Sequence, residues 1–529
     1  MVTRREFLST AAAGALAAAP ASKPNIVLFY ADDLDADELG CFRDTKLMPS
    51  YTSQKKMGIP GGRGYEDPVM LTPNIDGLAR DGAVFSRFYI SSPVCTPSRY
   101  SLLTGRHATR SPGYLRNNPA GTPGFIAWNT PLGDEETNLA KSLKQLGYAT
   151  GIVGKWHNFD RDSGVGEIER GYAEDADPRE PSLRETLRKR HERACQVLRE
   201  GCGFDYADRI NVGNTEQVRP TAIRGQNLEW HTEGALEFLK RYHDRPFFLY
   251  YPLPVPHGQY FDLHRLNPLA TTAGMLDKAP EVQPSRENVL QRVKAAGIAE
   301  RNAMATWMDD SVGVVLKALE SYGVANNTIV LFISDNPSRG KNTCYESARV
   351  PAMMRWPGRV KAGSMMASIS ANFDIPATLI EAAGGAAPAD MRIDGRSFLP
   401  QLLGKPEPKN WRKHLLIQIH NSRAVVTKRW KYVANRVSPE LAEKMRAEAG
   451  SQGERTAFWN GIKQNRFNAD VDFPAYWDAD QLYDLDADLY ERRNLAGDPA
   501  NAAVLKDMKK RMAELLAPLP HTFGEFKKS

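Results

Sequence analysis

Runs of consecutive apolar residues at Ile26-Val27-Leu28-Phe29-Tyr30, within residues 247–253 and within Thr328–Ser334 constrain this chain more than any other feature. A strand with water on one face alternates apolar and polar side chains, so runs without alternation belong to strands covered on both faces. Amphipathic stretches lie between them. Thr72-Pro73-Asn74-Ile75-Asp76-Gly77-Leu78-Ala79 reads as a capped helix start, and Met304, Met308, Val312, Val315, Leu316 and Leu319 fall on one helical face, where the methionines serve as core. Strands alternating with helices predict βαβ units, hence an α/β fold with a mostly parallel central sheet flanked by helices. At 529 residues the chain can hold one large α/β domain and a smaller companion.

Residues 84–90 read as a further strand, which delivers Cys95-Thr96-Pro97-Ser98-Arg99 followed by Leu102-Leu103-Thr104-Gly105-Arg106. Thr96 before Pro97 reads as an N-cap with proline at the first helical position, placing Cys95 at a helix N-terminus. Unpaired amide N–H groups and the helix dipole favour an anion there. Alone, a Cys-x-Pro is more often a buried cysteine before a core helix. The full run resembles the signature that type I, formylglycine-dependent sulfatases of the alkaline phosphatase superfamily present to the formylglycine-generating enzyme. The resemblance implies that Cys95 is the precursor of 3-oxoalanine (formylglycine), whose hydrate attacks a sulfate ester. A serine would end as a stable sulfated serine, whereas a gem-diol re-forms the aldehyde and expels sulfate, a form of covalent catalysis.

Asp32-Asp33 follow the first strand and Asp335-Asn336 follow the strand ending at Ser334, so both pairs can project from one edge of a parallel sheet, where open α/β sheets place their sites. Four oxygen donors suit a hard cation and disfavour zinc. Singly, each pair reads as a solvated turn. In family order beside Cys95, they resemble the sulfatase metal set, which implies Ca2+, with Mg2+ the alternative and residue 95 itself completing the shell. Gly154-Lys155-Trp156-His157 resembles the family's Gly-Lys-x-His element, implying that Lys155 bridges nucleophile and sulfate while His157 contacts the formylglycine hydroxyl. The same resemblance implies that His257 protonates or hydrogen-bonds the leaving oxygen, Lys341 holds a sulfate oxygen near the leaving group, and Arg99 stabilises the hydrated aldehyde and nearby carboxylates. Such cations meet a physical need, because charge develops on the sulfuryl group and leaving oxygen.

The resemblance extends through Gly203-Phe204-Asp205-Tyr206, Arg349-Val350-Pro351 and Arg355-Trp356-Pro357-Gly358. It departs at Pro337, and at Ser347-Ala348, where the family commonly has glycine; both changes reduce backbone freedom. After residue 405 strand-like pieces at 415–419, 424–427, 431–434 and 481–485 and a terminal helix Ala502–Leu516 look like the small antiparallel C-terminal subdomain of sulfatases. The expected organisation is an export signal over 1–21, a catalytic domain over 22–404 and that subdomain over 405–529.

Arg4-Arg5 before an alanine-rich stretch and Ala19-Pro20-Ala21 resembles a twin-arginine signal, implying the twin-arginine export machinery as partner and a periplasmic or extracellular destination; a Sec signal or an uncleaved cap helix is the alternative. The apolar run is far short of the ~20 residues a stable membrane span needs. The net charge of +6 is mild and scattered, without a nucleic-acid stripe. Of five cysteines, Cys41, Cys195, Cys202 and Cys344 remain besides Cys95, and Cys195 and Cys202 can bridge if a helix over 184–199 ends between them. Residues 160–200 read as a charged, helical surface insertion. Arg106, His107, Arg110, Arg116 and Trp128 are candidates for a saccharide subsite or a solvated surface.

The function expected from the resemblance is hydrolysis of sulfate monoesters, with sulfated carbohydrates as substrates. A formylglycine-dependent phosphodiesterase or phosphonate monoester hydrolase and a non-catalytic glycan-binding pseudoenzyme are the alternatives.

Overall fold

The computed structural model describes residues 23–42, 70–165, 172–216, 218–257, 263–337, 348–437 and 478–527, with Lys341, Thr343 and a few isolated positions up to 475. The export-signal reading over 1–21 lies outside them, as do Cys344 and Ser347.

The chain forms β1 (Asn25–Ala31), α1 (Pro73–Asp81), β2 (Ala83–Phe85), α2 (Cys95–Thr104), β3 (Ala149–Lys155), α3 (Pro181–Gly201), β4 (Tyr206–Asn211), α4 (Leu228–Tyr242), β5 (Phe247–Tyr251), α5 (Ala303–Ser321), β6 (Thr328–Ser334), β7 (Ala352–Arg355) and β8 (Ser364–Met366). These strands make one eight-stranded sheet in the order β8-β2-β7-β6-β1-β5-β3-β4. β7 runs antiparallel to both neighbours, and the other pairings are parallel.

Both faces of this sheet are covered, as the apolar runs require. Ile26, Leu28 and Tyr30 of β1 enter one core with Tyr100, Leu102 and Leu103 of α2, while Val27 and Phe29 enter a second core with residues of α1, α4 and α5. Met304, Met308, Val312, Val315 and Leu319 are buried there, and Leu316 packs at its edge.

A smaller antiparallel sheet follows, β9 (His414–Ile419), β10 (Ser422–Thr427), β11 (Trp430–Asn435) and β12 (Asp480–Asp484), in that order. Alternate residues face opposite ways. Leu416, Val425, Tyr432 and Leu482 pack on Met508, Met512 and Leu516 of α6 (Ala502–Leu516), while Leu415, Ile417, Val426, Val433 and Tyr483 pack on Tyr89, Ile369 and Phe373 of the first unit.

Three sequence expectations are corrected. Residues 84–90 are not one strand: β2 ends at Phe85, and Phe88–Tyr89 pairs with Ser370–Ala371 instead. Phe85 and Phe88, ring centroids 5.4 Å apart, both enter the same core, which a strand of period two cannot arrange without turning between them. Helix α2 begins at Cys95 with Val94 as its N-cap, because Ser98 N–H already bonds to Val94 O at 3.0 Å. The Thr96 hydroxyl reaches Ala127 O instead of capping. Finally, α3 spans Pro181–Gly201 rather than residues 184–199, and the bridge that the sequence left open is not made, since Cys195 and Cys202 are both free thiols.

Candidate active site

The carboxyl ends of four parallel strands converge. Asp335 N–H bonds to Ala31 O at 2.8 Å, His257 N–H to Asp32 O at 2.9 Å, and Lys155 N–H to Pro252 O at 2.8 Å, so the residues after β1, β5 and β6 and the end of β3 are fixed against one another. Gly154 makes the last approach possible. Its φ is +114°, and a Cβ there would lie 2.2 Å from Pro252 O. Asp33 and His157 have φ of +62° and +64°, a conformation uncommon for side-chain-bearing residues.

Cys95 opens α2 beneath this edge and is fully buried. Its Sγ lies 3.5 Å from Asp32 Oδ1 and 3.8 Å from Lys341 Nζ. Burial pushes the thiol well above its ordinary pKa, so an unmodified Cys95 is a protonated, poor nucleophile at neutral pH. One turn later Ser98 Oγ donates to Asp335 O at 2.5 Å and lies 2.6 Å from Tyr30 OH. Arg99 is wholly enclosed: Nη2 stands 2.8 Å from Asp335 Oδ2 and 3.6 Å from Asp32 Oδ1, and Nη1 donates to Lys155 O at 3.0 Å.

The other cations close round the carboxylates. Lys155 Nζ pairs with Asp32 and donates to Asn214 Oδ1 at 2.6 Å. Lys341 Nζ lies 2.5 Å from Asp33 Oδ1. His257 Nε2 is 3.6 Å from Asp33 Oδ2, while its Nδ1 is 2.8 Å from Glu216 Oε1. Burial opposes the charge on Asp32, yet Lys155, His257, Arg99 and Lys341 hold it well below the usual carboxylate range. Burial and then Asp32 push Asp335 up to about 7. For His257, burial lowers the pKa but Asp32 and Asp33 outweigh it and raise it. His157 goes the other way, driven well below its ordinary value by burial and by Lys155, and its buried Nδ1 meets no hydrogen-bond partner among the described residues.

The donor set fits a hard divalent cation. Ligand atoms of Asp32, Asp33, Cys95 and His257 all lie within 4.8 Å of one another. Asp335 Oδ1 accepts from Asp33 N–H at 3.2 Å, and Asn336 Nδ2 donates to Asp33 Oδ1. That leaves Asn336 Oδ1 buried with no partner among the described residues, an acceptor suited to a cation.

The structure therefore brings Asp32, Asp33, Cys95, Arg99, Lys155, His257, Asp335, Asn336 and Lys341 together, with His157 beside Lys155. Sequence reasoning missed Tyr30, Ser98, Asn214 and Glu216; the last two follow β4, whose mixed polar and apolar sequence gave no apolar run to mark a strand end. The basic subsite candidates are engaged elsewhere. Arg106 pairs with Glu136, Arg110 with Asp394 at 2.9 Å and Arg116 with Asp160, and His107 is enclosed against Phe373 and Gln418. Trp128 stays 36% exposed, next to the Ala127 carbonyl that meets Thr96.

The Sulfatase family profile matches residues 24–386, and the profile for the N-sulphoglucosamine sulphohydrolase C-terminal region matches residues 340–443. N-acetylgalactosamine-6-sulfatase of Canis lupus familiaris is 30% identical over 436 residues, 76% of this chain and 70% of the relative. An ulvan-active sulfatase of Formosa agariphila is 26% identical, covering 93% of this chain and 79% of that protein. A structure solved in work on the metabolism of multiple glycosaminoglycans by Bacteroides thetaiotaomicron superposes with a TM-score of 0.61 at 21% identity, covering 94% of this chain and 100% of the other. A phosphonate monoester hydrolase of Agrobacterium radiobacter superposes with a TM-score of 0.54 at 18% identity, covering 94% of this chain and 96% of the other. With a mostly parallel sheet, a small antiparallel companion and a profile spanning most of the first unit, the chain belongs to the sulfatase family of sulfuric ester hydrolases, within the alkaline phosphatase superfamily.

Proposed function

We propose that this protein is an exported sulfatase that hydrolyses sulfate monoesters on sulfated carbohydrates, using formylglycine made from Cys95 and a bound divalent cation, Ca2+ before Mg2+. The observation that carries the reading is the enclosure of Cys95, at a helix N-terminus, by Asp32, Lys155 and Lys341. A formylglycine hydrate at position 95 would supply the attacking hydroxyl, and a cation held by Asp32, Asp33, Asp335 and Asn336 would supply fixed positive charge beside the sulfuryl oxygens.

The chain's own side chains account for the rest. Lys155 and Lys341 flank position 95 and can each donate to a sulfuryl oxygen, placing charge where it accumulates. His257 presents Nε2 to the same space and can pass its proton to the leaving oxygen, work suited to a histidine at neutral pH. Arg99 holds Asp32 and Asp335 in place from behind. A carbohydrate substrate is supported by the relatives, whose names specify N-acetylgalactosamine 6-sulfate or ulvan, and by a similar fold solved with its substrate D-glucosamine-2-N,6-O-disulfate. Export through the twin-arginine pathway and modification by a formylglycine-generating enzyme are the partners this reading requires.

The test is to produce the protein with a formylglycine-generating enzyme, weigh the Cys95 peptide, and measure sulfate release from a panel of sulfated monosaccharides. An aldehyde at 95, sulfate release and an inactive Cys95→Ala variant support the reading; activity persisting in Cys95→Ala sinks it. The fold shared with a phosphonate monoester hydrolase favours one second reading, formylglycine-dependent phosphodiester or phosphonate hydrolysis. Faster turnover of a phosphate diester than of any sulfate monoester would establish that instead.

A further inference from the structure

The segment after β4 sends two side chains into the site, and the reaction as set out above uses neither. Asn214 Oδ1 accepts from Lys155 Nζ at 2.6 Å. Two residues on, Glu216 Oε1 lies 2.8 Å from His257 Nδ1. Glu216 Oε2 is buried and has no hydrogen-bond partner among the described residues; burial opposes the charge on this carboxylate, yet His257 first, then the Glu216 backbone and the Lys155 charge, hold its pKa low. A largely enclosed carboxylate costs free energy unless it is paired, and the partner nearest to this one is a histidine in the reacting centre.

We propose that Asn214 and Glu216 form a positioning element that aims the two sides of the reaction separately. Glu216 holds the His257 ring so that Nε2 faces the leaving oxygen, and Asn214 holds Lys155 toward the sulfuryl group. The assignment rests on the sulfate-ester reading of the site. In that reaction the S–O bond breaks with its electron pair going to the leaving oxygen, and the proton on His257 Nε2 moves to that oxygen. The Nδ1 proton stays on the ring, facing Glu216, and the ring leaves the step neutral, to regain its Nε2 proton from water. A carboxylate at Nδ1 fixes both ring orientation and the nitrogen that carries the remaining proton. Glu216 acts through His257 and touches no reacting atom.

The two arms have different signatures. Proton donation matters when the leaving alcohol is a poor leaving group, such as a sugar hydroxyl, and matters little when it is 4-nitrophenolate. Glu216→Gln should therefore lower kcat on a sulfated sugar by about 10- to 100-fold, the usual effect of removing a partner behind an active group. The same variant should change kcat on 4-nitrophenyl sulfate by less than about threefold, with KM held for both, because that leaving group needs little help from an acid. Asn214→Ala should slow both substrates by the same factor, since Lys155 serves the sulfuryl group common to them.

The ratio of the two rates on one preparation is independent of how much of it is folded, so a partly unfolded variant still answers the question. In a His257→Ala background, Glu216→Gln should cost nothing further. Equal losses on both substrates, or an undiminished loss in the His257→Ala background, would overturn the assignment. If the parent protein carries the aldehyde at position 95 yet releases sulfate from neither substrate, the sulfate-ester reading falls first and takes this assignment with it.

Discussion

Replacing Arg99 with methionine tests the electrostatic logic of the site without touching a group that faces substrate. Arg99 is wholly buried, its Nη2 is 2.8 Å from Asp335 Oδ2 and 3.6 Å from Asp32 Oδ1, and its guanidinium lies 5.5 Å from the centre of the Tyr30 ring. Methionine fills much of the same volume, so the cavity contribution is small and the cost is that of leaving two buried carboxylates without their shared cation. Breaking a buried pair on one side costs about 3–5 kcal/mol. Asp335 has an escape, because burial and Asp32 already bring it to about 7 and it can take up a proton. The loss at pH 7 should therefore fall near the lower end, about 3 kcal/mol. Arg99→Lys keeps the charge but not the fork that spans both carboxylates, and should cost about half as much. The assay is urea unfolding in chelator, followed by tryptophan fluorescence, since Trp156 and Trp307 are buried in the cores on opposite faces of the large sheet. A loss below about 1 kcal/mol for Arg99→Met would refute the reasoning, because that is the range of exposed ion pairs.

Asp335→Asn should abolish calcium-dependent stabilisation. Saturation at about 100 times Kd adds roughly 2.7 kcal/mol to a protein that binds only when folded, so parent and variant melting curves with and without calcium give the answer, and an unchanged calcium shift would reject the cation site. Lys341→Ala should lower sulfate release per folded molecule by about 10²- to 10³-fold and, because it leaves buried Asp33 without its nearest cation, should also lower the melting temperature; an unchanged rate would remove its assignment. His231 and His420, each lowered by burial from 6.5 to about 3, should make the fold acid-sensitive. Both stay neutral when folded, whereas the unfolded chain takes up protons below pH 6.5. Stability is therefore full above that pH and is lost as pH falls toward 3, by about 2 kcal/mol per histidine at pH 5. Urea midpoints between pH 7.5 and 5 measure this, and a profile that His231→Gln leaves equally steep would contradict it.

Much of the framework was legible because it depends on local pattern. The strand Thr328–Ser334 and the helix Ala502–Leu516 occur with the bounds expected from sequence, since a continuous apolar run and an amphipathic stretch each determine their own conformation. The polar pairs Asp32-Asp33 and Asp335-Asn336 were legible as strand ends for the same reason, each directly following a buried apolar strand. What depends on distant partners was not legible. Arg106 and Arg110 looked like free loop cations until Glu136, 30 residues on, and Asp394, 284 residues on, proved to pair with them. Glu216 is one glutamate in a loop, and only the fold sets it against His257. The same holds for the contacts between the two units. The turn between β9 and β10 reaches back to the first unit, with Gln418 N–H on Ser91 O at 2.9 Å and His420 N–H on Ile126 O at 2.8 Å, while the Ser422 hydroxyl meets Thr343, two residues past Lys341. Residues separated by some 300 positions thus meet, with the exposed Trp128 ring centred 6.4 Å from that of His420. Under the proposed function the chemical step would draw on strand ends that short motifs encode, and the choice among sugars on the contacts around Trp128 that both units supply. Substitutions at this turn should therefore change which sulfated sugar is hydrolysed before they change whether an activated aryl sulfate is.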